Sequence, residues 1–283
     1  MSGRSGVGVI GGGTMGLGIA YVFATAGIPT TVVEPDVGRA STLRSALLER
    51  AQRGVERGKL DAARADALDG LLSVVSAVEA LGAGLDLVVE SVPERLALKA
   101  EVLAAAERRE PGLLATNTTA LSIDELAAGL ARPEAFLGMH FFNPVWSLPL
   151  VEIVRGKATG DGAIAAARAA STAIGKESIL VRNVPGFATS RLDNIAAFEA
   201  MRMLEEGVAD ATDIDRAAVL AYQHPIGPLR LSDVVGLDVR LDVARNLSRI
   251  YGERYAPPTI LTTLVERGDL GRKTGRGFFE WTP

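Results

Sequence analysis

Short apolar runs alternate with longer amphipathic stretches through the first two thirds of the chain. Apolar or β-branched runs of about four to eight residues are typical of strands, and longer stretches of helical period are typical of helices. The alternation predicts an α/β domain, with a mostly parallel sheet covered by helices on both faces. The predicted strands are Val7–Ile10, Thr30–Glu34, Leu85–Glu90, Leu113–Thr116, Phe136–Phe142 and Leu150–Val154. The predicted helices between them are Leu17–Ala26, two within Arg39–Leu72 that separate near Gly58, Glu94–Glu107 and Ser122–Leu130.

The pattern changes after Val181, because every later candidate element is helical. Pro185-Gly186 interrupts the chain at this point, and such a pair is typical of a loop between elements. We therefore predict two domains, an α/β domain over residues 1–184 and an all-α domain over residues 185–283. The predicted helices of the second domain are Ser190–Glu206, Asp213–Leu220, Pro228–Val235, Leu237–Tyr251 and Pro258–Arg267.

A glycine-rich turn follows the first predicted strand and opens the first predicted helix. Gly11, Gly13 and Gly16 fit G-x-G-x-x-G, in which the glycines allow a tight turn, close approach to a pyrophosphate and close helix–strand packing. Thr14 and Met15 complete the turn at the helix N-terminus, whose partial positive charge favours phosphate. This context predicts a Rossmann-type dinucleotide-binding domain rather than a glycine turn without a ligand.

An acidic residue closes the second predicted strand. Glu34 lies about 20 residues beyond the glycine turn, where a carboxylate binds the ribose 2′-hydroxyl of a dinucleotide. Because a carboxylate repels a 2′-phosphate, NAD is favoured over NADP as the cofactor. The nearby Arg39 leaves NADP open.

The composition argues against several other classes of protein. The 283 residues include 30 basic and 34 acidic side chains without a basic block, so a nucleic-acid partner is not expected. Cysteine is absent and the two histidines, His140 and His224, are far apart, so no metal site is predicted. We find neither a charge-free apolar run long enough to span a membrane nor, in Met1–Val9, the features of a signal peptide. We expect a cytoplasmic location.

A series of motifs, in order along nearly the whole chain, carries a resemblance to a known family. The chain resembles the 3-hydroxyacyl-CoA dehydrogenases, including the short bacterial 3-hydroxybutyryl-CoA dehydrogenases. The motifs are GGGTMGLGIA from Gly11, VVESVPE from Val88, ATNTTALSI from Ala115, GMHFFNP from Gly138, LVEIV from Leu150, VPGF from Val184, LEEG from Leu204, HPIGP from His224, DVVGLD from Asp233 and LGRKTGRGFF from Leu270.

The resemblance implies a hydride transfer between NAD(H) and the 3-carbon of a 3-hydroxyacyl thioester. It makes His140 the catalytic base and Glu152 its carboxylate partner, and it places Thr119 and Ser190 at the substrate oxygen. It also implies a homodimer formed through the helical domain. The further cofactor contacts that it implies are Glu94, Lys99, Asn117, Asn143 and Lys273.

Residue chemistry supports the roles of His140 as the base and Glu152 as its carboxylate partner. Histidine suits a base for a hydroxyl proton because its unperturbed pKa is about 6.5, and a carboxylate on the other ring nitrogen fixes the tautomer. The alternatives are a structural histidine at a strand-to-loop corner and, for Glu152, a surface carboxylate on an edge strand. His224 precedes Pro225 in a turn, where we expect it to shape the loop.

Two departures from the family pattern leave the substrate open. Thr119 stands where the family commonly has serine, and Ser190 where it has asparagine. A shorter donor at 190 favours either a changed substrate, such as a glyceryl- or hydroxyacyl-carrier-protein thioester in polyketide extender-unit biosynthesis, or a loss of chemistry. The candidates for binding the carrier group, with a solvated helix face as the alternative, are Ser45, Arg53, Arg57 and Lys59.

Three functions therefore compete. The first is a 3-hydroxyacyl-thioester dehydrogenase that uses CoA or an acyl carrier protein. The second is a non-catalytic NAD-binding structural or sensor protein, which the retained His140 and Glu152 argue against. The third is the oxidation of a free hydroxy acid.

Overall fold

The structure is a computed structural model that describes residues 6–282. Residues 1–5, which belong to the segment searched for a signal peptide, and residue 283 lie outside the described residues. The chain divides into two compact units, the first ending at Val184 and the second beginning at Pro185. Within the described residues, no helix has the length and apolar character needed to cross a membrane.

The first unit is built on an eight-stranded sheet with the order β3-β2-β1-β4-β5-β6-β7-β8. Neighbouring strands run parallel except β6 and β7, which are antiparallel. The carboxyl ends of β1, β2, β4, β5 and β6 therefore meet at one edge of the sheet, where α/β folds bind ligands. The strands are β1 Val7–Ile10, β2 Thr30–Val33, β3 Leu72–Val75, β4 Leu87–Glu90, β5 Leu113–Thr116, β6 Phe136–Phe141, β7 Leu150–Arg155 and β8 Glu177–Arg182.

Helices cover both faces of this sheet, as the sequence predicts. One face packs on α1, α2, α3 and α6 through alternate strand residues, among them Val9, Val89, Met139 and Ile153. The opposite face packs on α4, which contacts β4 and β5, and on α5, which contacts β6. The helices are α1 Thr14–Thr25, α2 Val37–Glu56, α3 Ala62–Leu71, α4 Leu96–Glu107, α5 Ile123–Ala127 and α6 Asp161–Ala173.

Three elements of this unit are missing from the sequence prediction. Strand β3 follows α3 without an intervening residue, so Leu71 and Leu72 belong to different elements although both fit the apolar face of a helix. Strand β8 lies at the sheet edge, where all six of its residues are partly or fully exposed and the apolar signal is weak. Helix α6 has a clear signal in its alanines, the best helix formers.

The second unit is helical, as predicted, apart from two isolated β-bridges within residues 271–280, and its helices surround an apolar core that includes Phe198, Met201, Leu237 and Leu241. Its C-terminal segment is tied to this core by Asp233, whose carboxylate accepts hydrogen bonds from the amides of Phe278 and Phe279 and from the Trp281 indole at 2.8–2.9 Å. His224 lies exposed in the loop between α8 and α9. The helices are α7 Thr189–Glu205, α8 Ala211–Tyr222, α9 Pro228–Val235, α10 Leu237–Tyr251 and α11 Thr259–Glu266.

Candidate active site

The glycine turn has the backbone shape needed to receive a phosphate. Gly11 has φ +105°, and a Cβ there would lie 2.7 Å from the carbonyl oxygen of Ser91. A Cβ at Gly16 would lie 1.8 Å from the Gly11 carbonyl oxygen, so the close contact between β1 and α1 requires glycine. No side chain caps the N-terminus of α1, whose N-cap residue is the exposed Gly13. The first amides of α1, from Thr14 and Met15 onward, are therefore suited to an anion.

Glu34 lies directly beside this turn. Its carboxylate accepts hydrogen bonds from the amides of Gly12 at 3.0 Å and Asp36 at 2.9 Å, and from the Arg39 guanidinium at 3.0 Å. Although burial alone would raise it, these hydrogen bonds hold the pKa of Glu34 below its ordinary value. An ionised carboxylate at the end of β2 suits a ribose hydroxyl and opposes a 2′-phosphate, while Arg39 remains 62% exposed.

His140 and Glu152 form a buried pair whose geometry follows from strand register. The two residues are direct partners in the antiparallel pairing of β6 and β7, so their side chains share one sheet face. His140 Nδ1 lies 2.9 Å from a Glu152 carboxylate oxygen, and the side chains are 8% and 0% exposed. The alternative of a surface carboxylate on an edge strand is wrong for Glu152, because β8 covers the outer side of β7.

The residues around this pair hold it in place at the carboxyl edge of the sheet. The Asn117 side chain accepts a hydrogen bond from the Phe141 amide at 2.9 Å and donates one to the Ser91 hydroxyl at 3.3 Å, so it links the ends of β4, β5 and β6. The Phe142 ring packs against the His140 imidazole with 4.4 Å between centroids. Asn143 follows, with an exposed side chain.

A network of charges occupies the same sheet face beside His140. Lys99, on α4, is fully buried, and its amine donates to Glu90 at 2.8 Å and to the Val92 carbonyl at 3.1 Å. The same amine lies 3.4 Å from Glu94. The other oxygen of Glu94 accepts hydrogen bonds from the Thr118 hydroxyl and from the amides of Thr119 and Ala120. Thr119 is exposed at the end of β5.

A basic cavity opens on the opposite sheet face, between α1, the end of α2 and the loop that follows Pro144. Its volume is about 660 Å³, and none of its described lining residues is acidic. Trp146 forms part of the wall and carries the Arg50 guanidinium 3.4 Å above its ring centroid. Burial, followed by the charge of Arg53, lowers the pKa of Arg50. The cationic side chains that line the cavity are Arg50, Arg53, Arg57, Lys59, Arg64 and Lys176.

Ser190 and Lys273 belong to the second unit, where each has a local partner. Ser190 lies in the first turn of α7, and its hydroxyl oxygen accepts a hydrogen bond from Asn194 Nδ2 at 3.2 Å. The amide oxygen of Asn194 in turn accepts one from Arg240 at 3.0 Å. Lys273 donates to both carboxylate oxygens of Asp238 at 2.6 Å, at the start of α10.

Comparison with known proteins identifies the family of this chain. The family model described as "3-hydroxyacyl-CoA dehydrogenase, NAD binding domain" matches residues 6–184, and the model of the C-terminal domain of the same family matches residues 186–281. The chain belongs to the 3-hydroxyacyl-CoA dehydrogenase family. It is an NAD-dependent oxidoreductase, in agreement with the glycine turn and Glu34.

Individual relatives of this dehydrogenase cover nearly its full length. A 3-hydroxybutyryl-CoA dehydrogenase of Mycobacterium tuberculosis is 40% identical, over 97% of this chain and 98% of the relative. One from Bradyrhizobium diazoefficiens is 35% identical, over 97% and 94%. The crystal structure of the (S)-3-hydroxybutyryl-CoA dehydrogenase PaaH1 from Ralstonia eutropha superposes with a TM-score of 0.92 and 36% identity, over 98% of this chain and 99% of that chain.

Two features of the dehydrogenase escaped the sequence prediction. Glu90 ends β4 as an acidic residue in an otherwise apolar strand, and that position at the carboxyl edge of the sheet was a usable signal. The basic cavity includes Arg53, Arg57 and Lys59, which were candidates, but Arg50 and Trp146 come from segments far apart in the chain. Only the fold brings these two together.

Among residues 6–282, no group of three or more His, Asp or Glu side chains is arranged to hold a metal ion.

Proposed function

We propose that this dehydrogenase interconverts a 3-hydroxyacyl-CoA and the corresponding 3-oxoacyl-CoA, with His140 as the acid–base residue. The observation that carries the proposal is the buried His140–Glu152 pair, 2.9 Å apart at the sheet edge where the glycine turn also lies. NAD, when bound, supplies the hydride acceptor. The printed names of the full-length relatives, 3-hydroxybutyryl-CoA dehydrogenases, support this substrate class.

Proton transfer is expected at the Nε2 atom of His140. Nδ1 is bound to Glu152, whose carboxylate keeps the proton on that nitrogen and stabilises the imidazolium that forms when Nε2 takes the hydroxyl proton. In the reducing direction the same nitrogen returns the proton to the carbonyl oxygen. Because both side chains are buried, few water molecules compete for this transfer.

The glycine turn and Glu34 fit the pyrophosphate and the ribose of the adenosine diphosphate part of NAD. The uncapped start of α1 is suited to the pyrophosphate, and the Glu34 carboxylate to the ribose hydroxyls. We propose that Glu94, Asn117, Asn143 and Lys273 complete the cofactor site, as the family resemblance implies. The resemblance also implies Lys99 as a cofactor contact, but its amine is buried and donates to Glu90 and the Val92 carbonyl, so we propose that it acts through Glu94.

Ser190 and Thr119 are proposed as donors to the substrate oxygen. The Ser190 oxygen already accepts the Asn194 amide at 3.2 Å, so its own hydrogen is left to be donated. A hydroxyl donor of this kind contributes about 2.7–4 kcal/mol where negative charge develops. Ser190→Ala should therefore lower kcat by about 10²-fold. An unchanged kcat would contradict the role of Ser190 as a donor to the substrate oxygen.

CoA is the proposed carrier because the basic cavity has the size and charge for its nucleotide end. A volume of about 660 Å³ is that of a small-molecule site, and clustered arginines are suited to phosphate. A carrier protein would instead present one phosphodiester and a large surface.

We infer a cytoplasmic location. We also infer a homodimer, because large apolar side chains of the second unit are exposed. These side chains include Leu192, Val208, Leu220, Tyr222, Val235 and Val239.

A substrate panel tests the proposal. Acetoacetyl groups on CoA, on pantetheine and on an acyl carrier protein, together with free acetoacetate and a glyceryl-carrier-protein thioester, would be assayed with NAD(H) and NADP(H). We expect the highest kcat/KM with the CoA thioester and NADH. A preference for a carrier-protein thioester or a free acid would overturn the CoA assignment. Light scattering tests the dimer, which a monomer at micromolar concentration would contradict.

A further inference from the structure

Glu90 and Lys99 form a fully buried ion pair that has no part in the proton transfer described above. Each residue is 0% exposed, and the Lys99 amine lies 2.8 and 3.1 Å from the two Glu90 oxygens. The Thr116 hydroxyl and the Val92 amide also donate to Glu90. Burying two charges costs several kcal/mol in desolvation, and an apolar pair of similar volume is often as stable or more so. Packing alone therefore does not account for this pair.

The remaining contact of Lys99 leads to the loop after β5. Its amine is 3.4 Å from Glu94 Oε2, while Glu94 Oε1 accepts from the amides of Thr119 and Ala120, both at 3.0 Å. The Thr118 hydroxyl donates to the same oxygen and accepts from the Leu121 amide. The turn over residues 118–121 is thus organised around the Glu94 carboxylate, whose other oxygen pairs with the Lys99 amine.

The donors of Lys99 are all engaged within the protein. An ammonium has three hydrogens, and the two Glu90 oxygens and the Val92 carbonyl accept three hydrogen bonds from it, while Glu94 lies 3.4 Å away as an ion-pair partner. Lys99 is therefore placed to orient Glu94, and not to reach a ligand itself. Glu90, whose position is fixed by β4, α4 and β5, sets where the Lys99 charge lies.

We propose that Glu90 and Lys99 are positioning residues that, through Glu94, hold the 118–120 turn and with it Thr119 in the geometry that receives the substrate oxygen. The last step rests on the proposed function of Thr119. The ordering of the turn rests only on the contacts given above.

The test uses the neutral double variant Glu90→Gln/Lys99→Met, which leaves no buried charge unpaired. Amide hydrogen exchange of Thr119 and Ala120 is measured in the ligand-free wild type and variant. For the same two proteins, kcat, KM for acetoacetyl-CoA and the Kd for NADH are measured. Loss of one charge-assisted contact predicts exchange faster by about tenfold and a KM raised by about tenfold. Because Glu94 is itself a proposed cofactor contact, we expect the Kd for NADH to rise as well, by up to about tenfold.

The matched control is Glu107→Gln at the other end of α4. Its carboxylate accepts the amides of Ala131 and Arg132 in a similar manner, but far from the 118–120 turn. We expect faster exchange of those two amides with an unchanged KM. Exchange of Thr119 and Ala120 and a KM at wild-type values in the double variant would overturn the proposal. If the wild type turned over no thioester, the proposed function would fail, while amide exchange would still decide the positioning role.

Discussion

Replacing Glu152 with glutamine tests the acid–base pair with the least change in shape. The amide oxygen still accepts the hydrogen bond from His140 Nδ1, but the negative charge is lost. At 2.9 Å and an effective dielectric constant of about 20, two unit charges interact by about 6 kcal/mol. If about half of the proton has moved to His140 in the transition state, Glu152 lowers the barrier by about 3 kcal/mol, and the variant loses about 10²-fold in kcat.

The assay follows NADH absorbance with acetoacetyl-CoA and, in reverse, with 3-hydroxybutyryl-CoA. Loss of transition-state stabilisation lowers kcat in the oxidising direction, where His140 begins neutral, while KM for NADH, measured in the reducing direction, stays within about threefold of wild type. Thermal unfolding of the variant serves as the control, because a neutral glutamine costs less to bury than a carboxylate. A kcat within about threefold of wild type, in a folded variant, would refute the electrostatic role of Glu152.

Three further changes probe the cofactor site, the basic cavity and the turn after β5. Glu34→Ala should raise KM for NADH by about tenfold and lower it for NADPH, because Arg39 becomes available to a 2′-phosphate; steady-state kinetics with both cofactors measure this. Arg57→Ala should raise KM about tenfold for acetoacetyl-CoA and leave it unchanged for the pantetheine thioester, and equal effects on both would contradict phosphate binding. Although burial alone would raise it, the Thr118 hydrogen bond and the Lys99 charge hold the pKa of Glu94 below its ordinary value of 4.5. The contribution of Glu94 to the free energy of unfolding is therefore full above that value and is lost as the pH falls. Urea unfolding should show that the stability lost in Glu94→Gln becomes smaller from pH 6 to pH 3.

Sequence patterns predicted most of this fold because half of its strands are short, fully buried runs that are mainly apolar. Val7–Ile10 and Leu113–Thr116 were found with their observed bounds. The edge strand Glu177–Arg182 was not found, because its side chains are all partly or fully exposed and its apolar signal is weak. Strand Leu72–Val75 was not found either, because it continues directly from a helix. Both failures come from tertiary context, which decides what an ambiguous apolar run becomes.

The candidate site likewise combines features that the sequence could predict with features that only the fold brings together. The glycine turn is local in sequence, so its backbone shape could be predicted. The pairing of His140 with Glu152 depends on the register of β6 and β7, which the sequence alone leaves open and the structure supplies. The surroundings of Lys99 and the wall that Trp146 contributes to the basic cavity depend on contacts between distant segments. Only the fold places these residues beside their partners.

The central claim is that His140 transfers the proton while the protein exchanges a hydride with a hydroxyacyl thioester. The most direct measurement compares wild type and His140→Gln in the reduction of acetoacetyl-CoA, with NADH binding followed separately by fluorescence. We expect wild-type turnover, and in the variant a kcat lower by about 10²–10⁴-fold with NADH affinity within about threefold. Near-normal kcat in His140→Gln, or no thioester turnover by the wild type, would contradict the claim.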